Sequence, residues 1–165
     1  DLPVSRILKN VDTAMFCLSK GLGAPVGSMV VGTKETMDRG RLFRKRLGGG
    51  MRQAGILAAA GLIALEEMPA RLGDDHANAR FLAEELARVP GIAIDSSKVQ
   101  TNIVIFDVAA TGLKAVEFSE SLKERGVLIN SVGETSLRAV THYDVSRRDC
   151  EQALAAVQEV AAVRV

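Results

Sequence analysis

The stretch Phe16-Cys17-Leu18-Ser19-Lys20-Gly21-Leu22-Gly23-Ala24-Pro25-Val26-Gly27-Ser28 decides how the chain is read. One lysine stands between an apolar run and a loop of glycine, alanine and proline, with a second apolar run beyond. Lys20 has no acidic residue within seven positions on either side, so the local sequence offers it no ion-pair partner. Taking an unpaired ammonium out of water is costly. Such a lysine either faces solvent or is neutralised chemically, and an imine with a carbonyl cofactor is one chemical route. The neighbouring glycines, lacking Cβ, permit close approach of another group to the backbone. A phosphate-cradling P-loop is excluded, because that motif has its glycines before the lysine and a Ser or Thr directly after it.

Around this loop, residues 11–18 and 27–31 are apolar and of strand length, so Lys20 is expected on the connection between two strands. Their nearly continuous apolar character predicts a sheet covered on both faces. Residues 1–11, of mixed polarity with Pro3 and Asn10, read as a loop or a short frayed helix. Residues 34–47 read as a helix with a basic end, carrying Arg39, Arg41, Arg44, Lys45 and Arg46. Gly48-Gly49-Gly50 then breaks the chain. The next helix is expected over 51–68; apolar nearly all round, it should be buried or lie at a subunit interface. That reading puts Arg52 and Gln53 in its first turn, where free backbone N–H groups and the helix dipole favour an anion. The basic cluster, the glycine turn and this arginine together suggest a phosphate site, the alternative being a solvated charged face.

Pro69 ends that helix, and 72–89 forms another with Leu72, Ala79, Leu82, Ala83 and Leu86 at helical spacing. Asp75 and His76 lie on it and read as structural. Pro90-Gly91 marks a turn and the expected hinge between domains. Beyond it the pattern is α+β: short strands at 92–94, 102–108, 127–130 and 136–141, and a helix over 113–125 closed by Gly126. Ser146 followed by Asp149 resembles a capping box opening a last helix that runs to residue 163. Arg138 lies within a strand, where an arginine ordinarily reaches water from an edge. His142 and Tyr143 just beyond it read as packing and hydrogen-bonding residues at a strand end.

Composition narrows the classes. The chain has 165 residues, with 47% hydrophobic and 25% charged, as expected for a globular protein. A net charge of +1 and 4% aromatics give no reason to expect nucleic acid or an anionic membrane as partner. The apolar run at 54–65 is well short of the about 20 residues a membrane span needs. Cys17 and Cys150 are far apart without metal-ligand spacing, so no metal site is expected. Free thiols in a reducing cytoplasm fit that usage.

Three blocks carry a family resemblance. The segment from Cys17 to Ser28 resembles the cofactor-lysine segment of the low-specificity L-threonine aldolases, which belong to the aspartate-aminotransferase-like, fold type I pyridoxal-phosphate enzymes. Arg44-Lys45-Arg46-Leu47-Gly48-Gly49-Gly50-Met51-Arg52-Gln53-Ala54-Gly55 and Leu137-Arg138-Ala139-Val140-Thr141-His142 resemble the same family further downstream. The resemblance runs over almost the whole chain but covers the later part of the family's length. It implies an α/β fold, the C-terminal part of a fold type I transferase. Residues 1–90 would be a remnant of the large cofactor-binding domain, and residues 91–165 a small α+β domain.

The function implied is a lyase that cleaves β-hydroxy-α-amino acids, threonine giving glycine and acetaldehyde, with pyridoxal 5'-phosphate as cofactor. By resemblance Lys20 is the catalytic, Schiff-base lysine, Arg52 and Lys45 contact the cofactor phosphate, and Arg138 grips the substrate carboxylate. In the family those phosphate contacts cross between subunits, implying a homodimer or a dimer of dimers. The family's aspartate facing the pyridine nitrogen, its ring-stacking histidine and its main phosphate loop precede the lysine segment, and residues 1–11 hold no counterpart. Activity is therefore expected of a full-length parent, with these residues alone inactive unless another chain supplies the rest. Two other readings stand beside it. One is a different fold type I activity, such as serine hydroxymethyl transfer or transamination; the other is a non-catalytic remnant serving assembly.

Overall fold

The computed structural model describes residues 2–162. The chain divides into two compact units, Asp1–Ala70 and Arg71–Val165. No described helix is long and apolar enough to cross a membrane.

The first unit is built on a hairpin. After one short helix, α1 (Val4–Ile7), strand β1 (Thr13–Cys17) pairs antiparallel with β2 (Ser28–Gly32), in a register running from Thr13 opposite Gly32 to Cys17 opposite Ser28. Helix α2 (Lys34–Arg46) starts where the Thr33 hydroxyl accepts the Thr36 N–H at 3.3 Å, which satisfies one of the open donors of its first turn. It stops where Gly48 turns left-handed at φ 80°. Helix α3 (Gly55–Glu66) follows, then a 3₁₀ turn over Met68–Arg71 that holds Pro69.

One expectation changes here. The strands were expected to be buried on both faces, yet β2 is exposed along its whole length, because β1 and β2 pair only with each other among the described residues. Helix α3 is as apolar as expected, but Ile56, Leu62 and Ile63 are exposed, Ile56 at 86%. The buried core of this unit is Leu18, Ala24 and Ala64, with Phe16 and Leu22 against it.

The second unit is an antiparallel sheet under helices. Helix α4 (Leu72–Leu86) leads through the Pro90–Gly91 turn to β3 (Ile103–Asp107), α5 (Ala115–Glu124), β4 (Asn130–Ser131), β5 (Ser136–Val140) and α6 (Arg147–Ala162). The sheet order is β3-β5-β4. Its inner face, Val104, Phe106, Leu137 and Ala139, packs with Leu86 of α4, Phe118 and Leu122 of α5 and Val157 of α6 in one core. The expected strand at 127–130 is only two residues long and starts at Asn130, and that at 92–94 reduces to one bridge between Ala93 and Asp107. Gly91 has φ 87°, and a Cβ there would lie 2.7 Å from the Thr111 methyl, so only glycine fits that turn.

The expected hinge at 90–91 does not coincide with the division between compact units. The buried stripe of α4, Ala79, Leu82, Ala83 and Leu86, shares its core with β3 and α6, so α4 belongs to the second unit. Polar contacts hold it there. Asp75, fully buried, receives both guanidinium nitrogens of Arg71 at 2.5 and 3.2 Å, and the Thr141 hydroxyl donates to the Asp75 carbonyl at 2.7 Å. The structural reading of Asp75 is the one the geometry has. At the other end, the Ser146 and Asp149 capping box forms as expected: Ser146 N–H donates to Asp149 at 2.8 Å and Asp149 N–H to the Ser146 hydroxyl at 3.2 Å. Residue 163, the expected end of α6, lies outside the described residues.

Hydrogen-bonded carboxylates, Asp107 and Asp149 among them, make this unit sensitive to acid. The Thr135 hydroxyl, the Ala109 N–H and the Ser136 hydroxyl hold Asp107 below the usual carboxylate range, and the Ser146 side chain does the same for Asp149. A carboxylate with a depressed folded-state pKa contributes stability that is present above its unfolded pKa, about 3.9, and is lost as pH falls through the folded value. The unfolding midpoint of this unit should therefore hold between about pH 5 and 7 and fall below about pH 4. Asp107→Asn should lower it at pH 7 and flatten its acid limb; an unchanged acid limb in that variant would contradict the assignment.

The two cores also differ in depth, which hydrogen exchange can read. Amides of β1, β2 and α3 should exchange well before those of β3, β5 and α4. Equal protection in both units would show that the small core of the first is stabilised by something other than the burial described.

Candidate active site

Lys20 sits in a turn whose backbone is tightly specified. β1 ends at Cys17 and β2 begins at Ser28, and the connection doubles back on itself. Leu18 N–H donates to the Gly27 carbonyl at 2.9 Å, Ala24 N–H to the Leu18 carbonyl at 2.9 Å, and Gly23 N–H to the Lys20 carbonyl at 2.8 Å. Gly23 at φ 71° and Gly27 at φ 129° supply the left-handed backbone this path requires. Leu18 anchors the turn. A Cβ at Gly27 would approach its Cδ1 to 3.2 Å, and one at Gly61 of α3 to 3.3 Å, so the two glycines leave the room that Leu18 fills. Two residues beyond this buried leucine, Lys20 is exposed.

The basic segment of the same unit lies at the end of α2. Arg44, Lys45 and Arg46 occupy its last turn, where cations complement the carbonyl end of the helix dipole. The turn tightens through Gly49 N–H to the Arg44 carbonyl at 2.8 Å, and the Lys45 stem lies along Gly50, 3.1 Å from where a Cβ would stand. Arg52 departs from its expected place. It precedes Ala54, the N-cap of α3, and is not in the first helical turn, because Gln53 adopts φ 49° and keeps the chain out of helix until Gly55. Lys45 and Arg52 make no ion pair among the described residues, whereas Arg41 is paired with Asp38 at 2.7 Å. A groove of about 460 Å³ between β2 and α2 is lined by Met29, Met37, Arg41 and Arg44; neither Lys20 nor Arg52 lines it, so it is not the site the sequence points to.

Arg138 belongs to the second unit, at the centre of β5. Strand alternation turns its neighbours Leu137 and Ala139 into the core and leaves Arg138 on the exposed face. The register sets it opposite Ile105 of β3 and Asn130 of β4. It makes no ion pair among the described residues. His142 and Tyr143 follow as expected of strand-end residues: their rings meet at 4.5 Å, and His142 Nδ1 lies 3.0 Å from Asp144. Asn130 carried no signal in the sequence, since its place beside Arg138 comes from the pairing of two short strands. Lys20, Lys45 and Arg52 thus share the first unit, and Arg138 stands in the second.

Among the described residues, no group of three or more His, Cys, Asp and Glu is placed to hold a metal ion. The Cys150 thiol is buried, and burial pushes its pKa up, the setting of a structural cysteine.

The family model described as beta-eliminating lyase matches residues 1–110. Low-specificity L-threonine aldolase 1 of Arabidopsis thaliana is 38% identical over 159 residues, 96% of this chain and 44% of its own length. The low specificity L-threonine aldolase of Escherichia coli K12 is 42% identical over 152 residues, 92% of this chain and 44% of its own length. The chain thus spans less than half the length of these relatives. Among solved structures, a Listeria monocytogenes protein assigned as an L-allo-threonine aldolase superposes with a TM-score of 0.74 at 13% identity, over 96% of this chain and 47% of its own. At that identity the match concerns the fold, which is that of the fold type I enzymes and mixed α/β as expected. With the model match covering well over half of the residues, the chain belongs to the beta-eliminating lyase family.

Proposed function

We propose that the protein of which this chain is part is a pyridoxal-phosphate-dependent aldehyde-lyase of the threonine aldolase kind. It would cleave L-threonine or L-allo-threonine to glycine and acetaldehyde. The observation that carries this reading is the 42% identity over 92% of the chain to a relative named for that activity.

The residues present suit the cofactor. An exposed lysine on a turn that Leu18 and two glycines fix suits an imine with the cofactor's carbonyl carbon. Arg52 and Lys45, without ion-pair partners among the described residues, suit a phosphate dianion. Lys20 would hold the cofactor through Nζ, and Arg52 and Lys45 would contact its phosphate. When bound, pyridoxal phosphate supplies an electron sink for the pair released at the substrate's Cα. Arg138 binds the substrate's α-carboxylate, two parallel N–H donors matching its two oxygens. Holding that carboxylate fixes which Cα bond faces the reacting centre. The reaction breaks Cα–Cβ, removes the β-hydroxyl proton and returns a proton to Cα, so it needs no folate and no keto acid. That requirement separates it from hydroxymethyl transfer and transamination.

Assembly is part of the proposal. Ile56, Leu62 and Ile63 on α3 and Leu42, Phe43 and Leu47 at the end of α2 are exposed apolar side chains on the unit that carries Lys45 and Arg52. A homodimer or dimer of dimers would cover side chains of this kind.

The test is aldehyde release from L-threonine by the full-length protein with added pyridoxal phosphate, without folate or keto acid. Lys20→Ala should abolish release. Arg138→Ala should weaken substrate binding by about 2–5 kcal/mol, the usual loss when one partner of a desolvated charge pair is removed. Full activity in the Lys20 variant, or strict dependence on a second substrate, would overturn the proposal.

A further inference from the structure

We infer that Asn130 is a positioning residue for Arg138, aiming its guanidinium at the carboxylate it binds; this rests on the carboxylate-binding reading of Arg138 given above. The argument starts from the exposed face of the β3-β5-β4 sheet. One row across it is Ile105, Arg138 and Asn130. The row on one side pairs Ile103 with Val140, and the row on the other pairs Asp107 with Ser136.

The backbone hydrogen bonds set how close each neighbour stands. Val108 N–H donates to Thr135 and Thr141 N–H to Asn102, which makes Ile105 and Arg138 a non-hydrogen-bonded pair, the closer kind. Val132 N–H donates to Ser136 at 2.9 Å, which makes Asn130 and Arg138 a hydrogen-bonded pair. Cross-strand neighbours of either kind hold their Cβ atoms within about 5.5 Å, in reach of an arginine and an asparagine.

Chemistry then singles out Asn130. A guanidinium has five N–H donors, and a bidentate carboxylate uses two of them. Ile105 offers no acceptor and stands as a wall on one side, as do Ile103 and Val140 in the next row. Asp107 in the opposite row is already committed, accepting from Thr135, Ser136 and the Ala109 N–H. The Asn130 residue is exposed, its carboxamide carries an acceptor oxygen, and that side chain makes no hydrogen bond among the described residues, so it is available to the arginine beside it. A neutral acceptor can orient the guanidinium without cancelling its charge. A carboxylate in its place would compete with the substrate for the same donors.

The experiment uses the full-length protein, with steady-state acetaldehyde release from L-threonine and melting temperature measured for each variant. Asn130→Ala should raise KM about 10-fold, the loss expected for a hydrogen bond to a charged group, and leave kcat nearly unchanged. Asn130→Asp, which keeps the side chain's size, should raise KM further at neutral pH and serves as the readout if the alanine variant melts early. In an Arg138→Lys background, where there is no planar fork to orient, Asn130→Ala should add nothing. Unchanged KM in both Asn130 variants while Arg138→Ala raises it would overturn the role of Asn130 alone. Equal, additive effects of Asn130→Ala with arginine and with lysine at 138 would do the same. Unchanged KM in Arg138→Ala would instead overturn the carboxylate reading beneath it.

Discussion

The Leu18 side chain, packed into the space that Gly27 and Gly61 leave open, is the contact on which the first unit turns. It is the largest buried side chain of a core whose other buried apolar members are two alanines. It also ties the hairpin to α3, so it fixes the turn on which Lys20 stands. The two glycines act through what they lack: a methyl group at either position would press on Leu18. Gly27 adds a backbone conformation that other residues rarely adopt. Lys20 is thus carried on a turn fixed by backbone hydrogen bonds and by Leu18, as directed chemistry at one nitrogen would require.

The second unit solves a different problem, presenting a charged side chain from the middle of a sheet without burying it. Alternation along β5 sends Leu137 and Ala139 inward and Arg138 outward. Three helices close the inner face, so the stability of the sheet does not depend on its outer one. The buried Asp75, held by Arg71 and bonded through its carbonyl to Thr141, links the start of α4 to the end of the same strand. The strand that offers the arginine is therefore held at its two sides by β3 and β4 and at its end by α4. A face free of core duties can be given over to binding.

Local signals in the sequence carried much of this. Strand, turn and helix could be placed around Lys20 because glycine and proline punctuate that region, and α2, α5 and α6 follow from caps and periodicity. What did not follow depends on distant residues. The apolar runs of β1, β2 and α3 state that these surfaces are meant to be covered, but not by what. The start of α3 was misplaced because the left-handed backbone of Gln53 leaves no mark in residue type, and Arg52 moved out of the helix with it. The division between units moved from 90–91 to 70–71 because the partners of the apolar stripe on α4 lie on β3 and α6, far along the chain. Asn130 went unnoticed for the same reason: its neighbour Arg138 is set by register, not by spacing. The roles of Lys20, Lys45, Arg52 and Arg138 rest on family resemblance, to which the structure adds an exposed lysine on a fixed turn, an arginine and a lysine at 52 and 45 without ion-pair partners among the described residues, and an outward-facing guanidinium at 138.

The most direct test of Lys20 as the cofactor-holding residue is borohydride reduction of the full-length protein with pyridoxal phosphate, followed by peptide mass mapping. The account predicts a single stable cofactor adduct, on the peptide that contains Lys20. An adduct fixed on another lysine, or scattered over many surface lysines at similar yield, would contradict it.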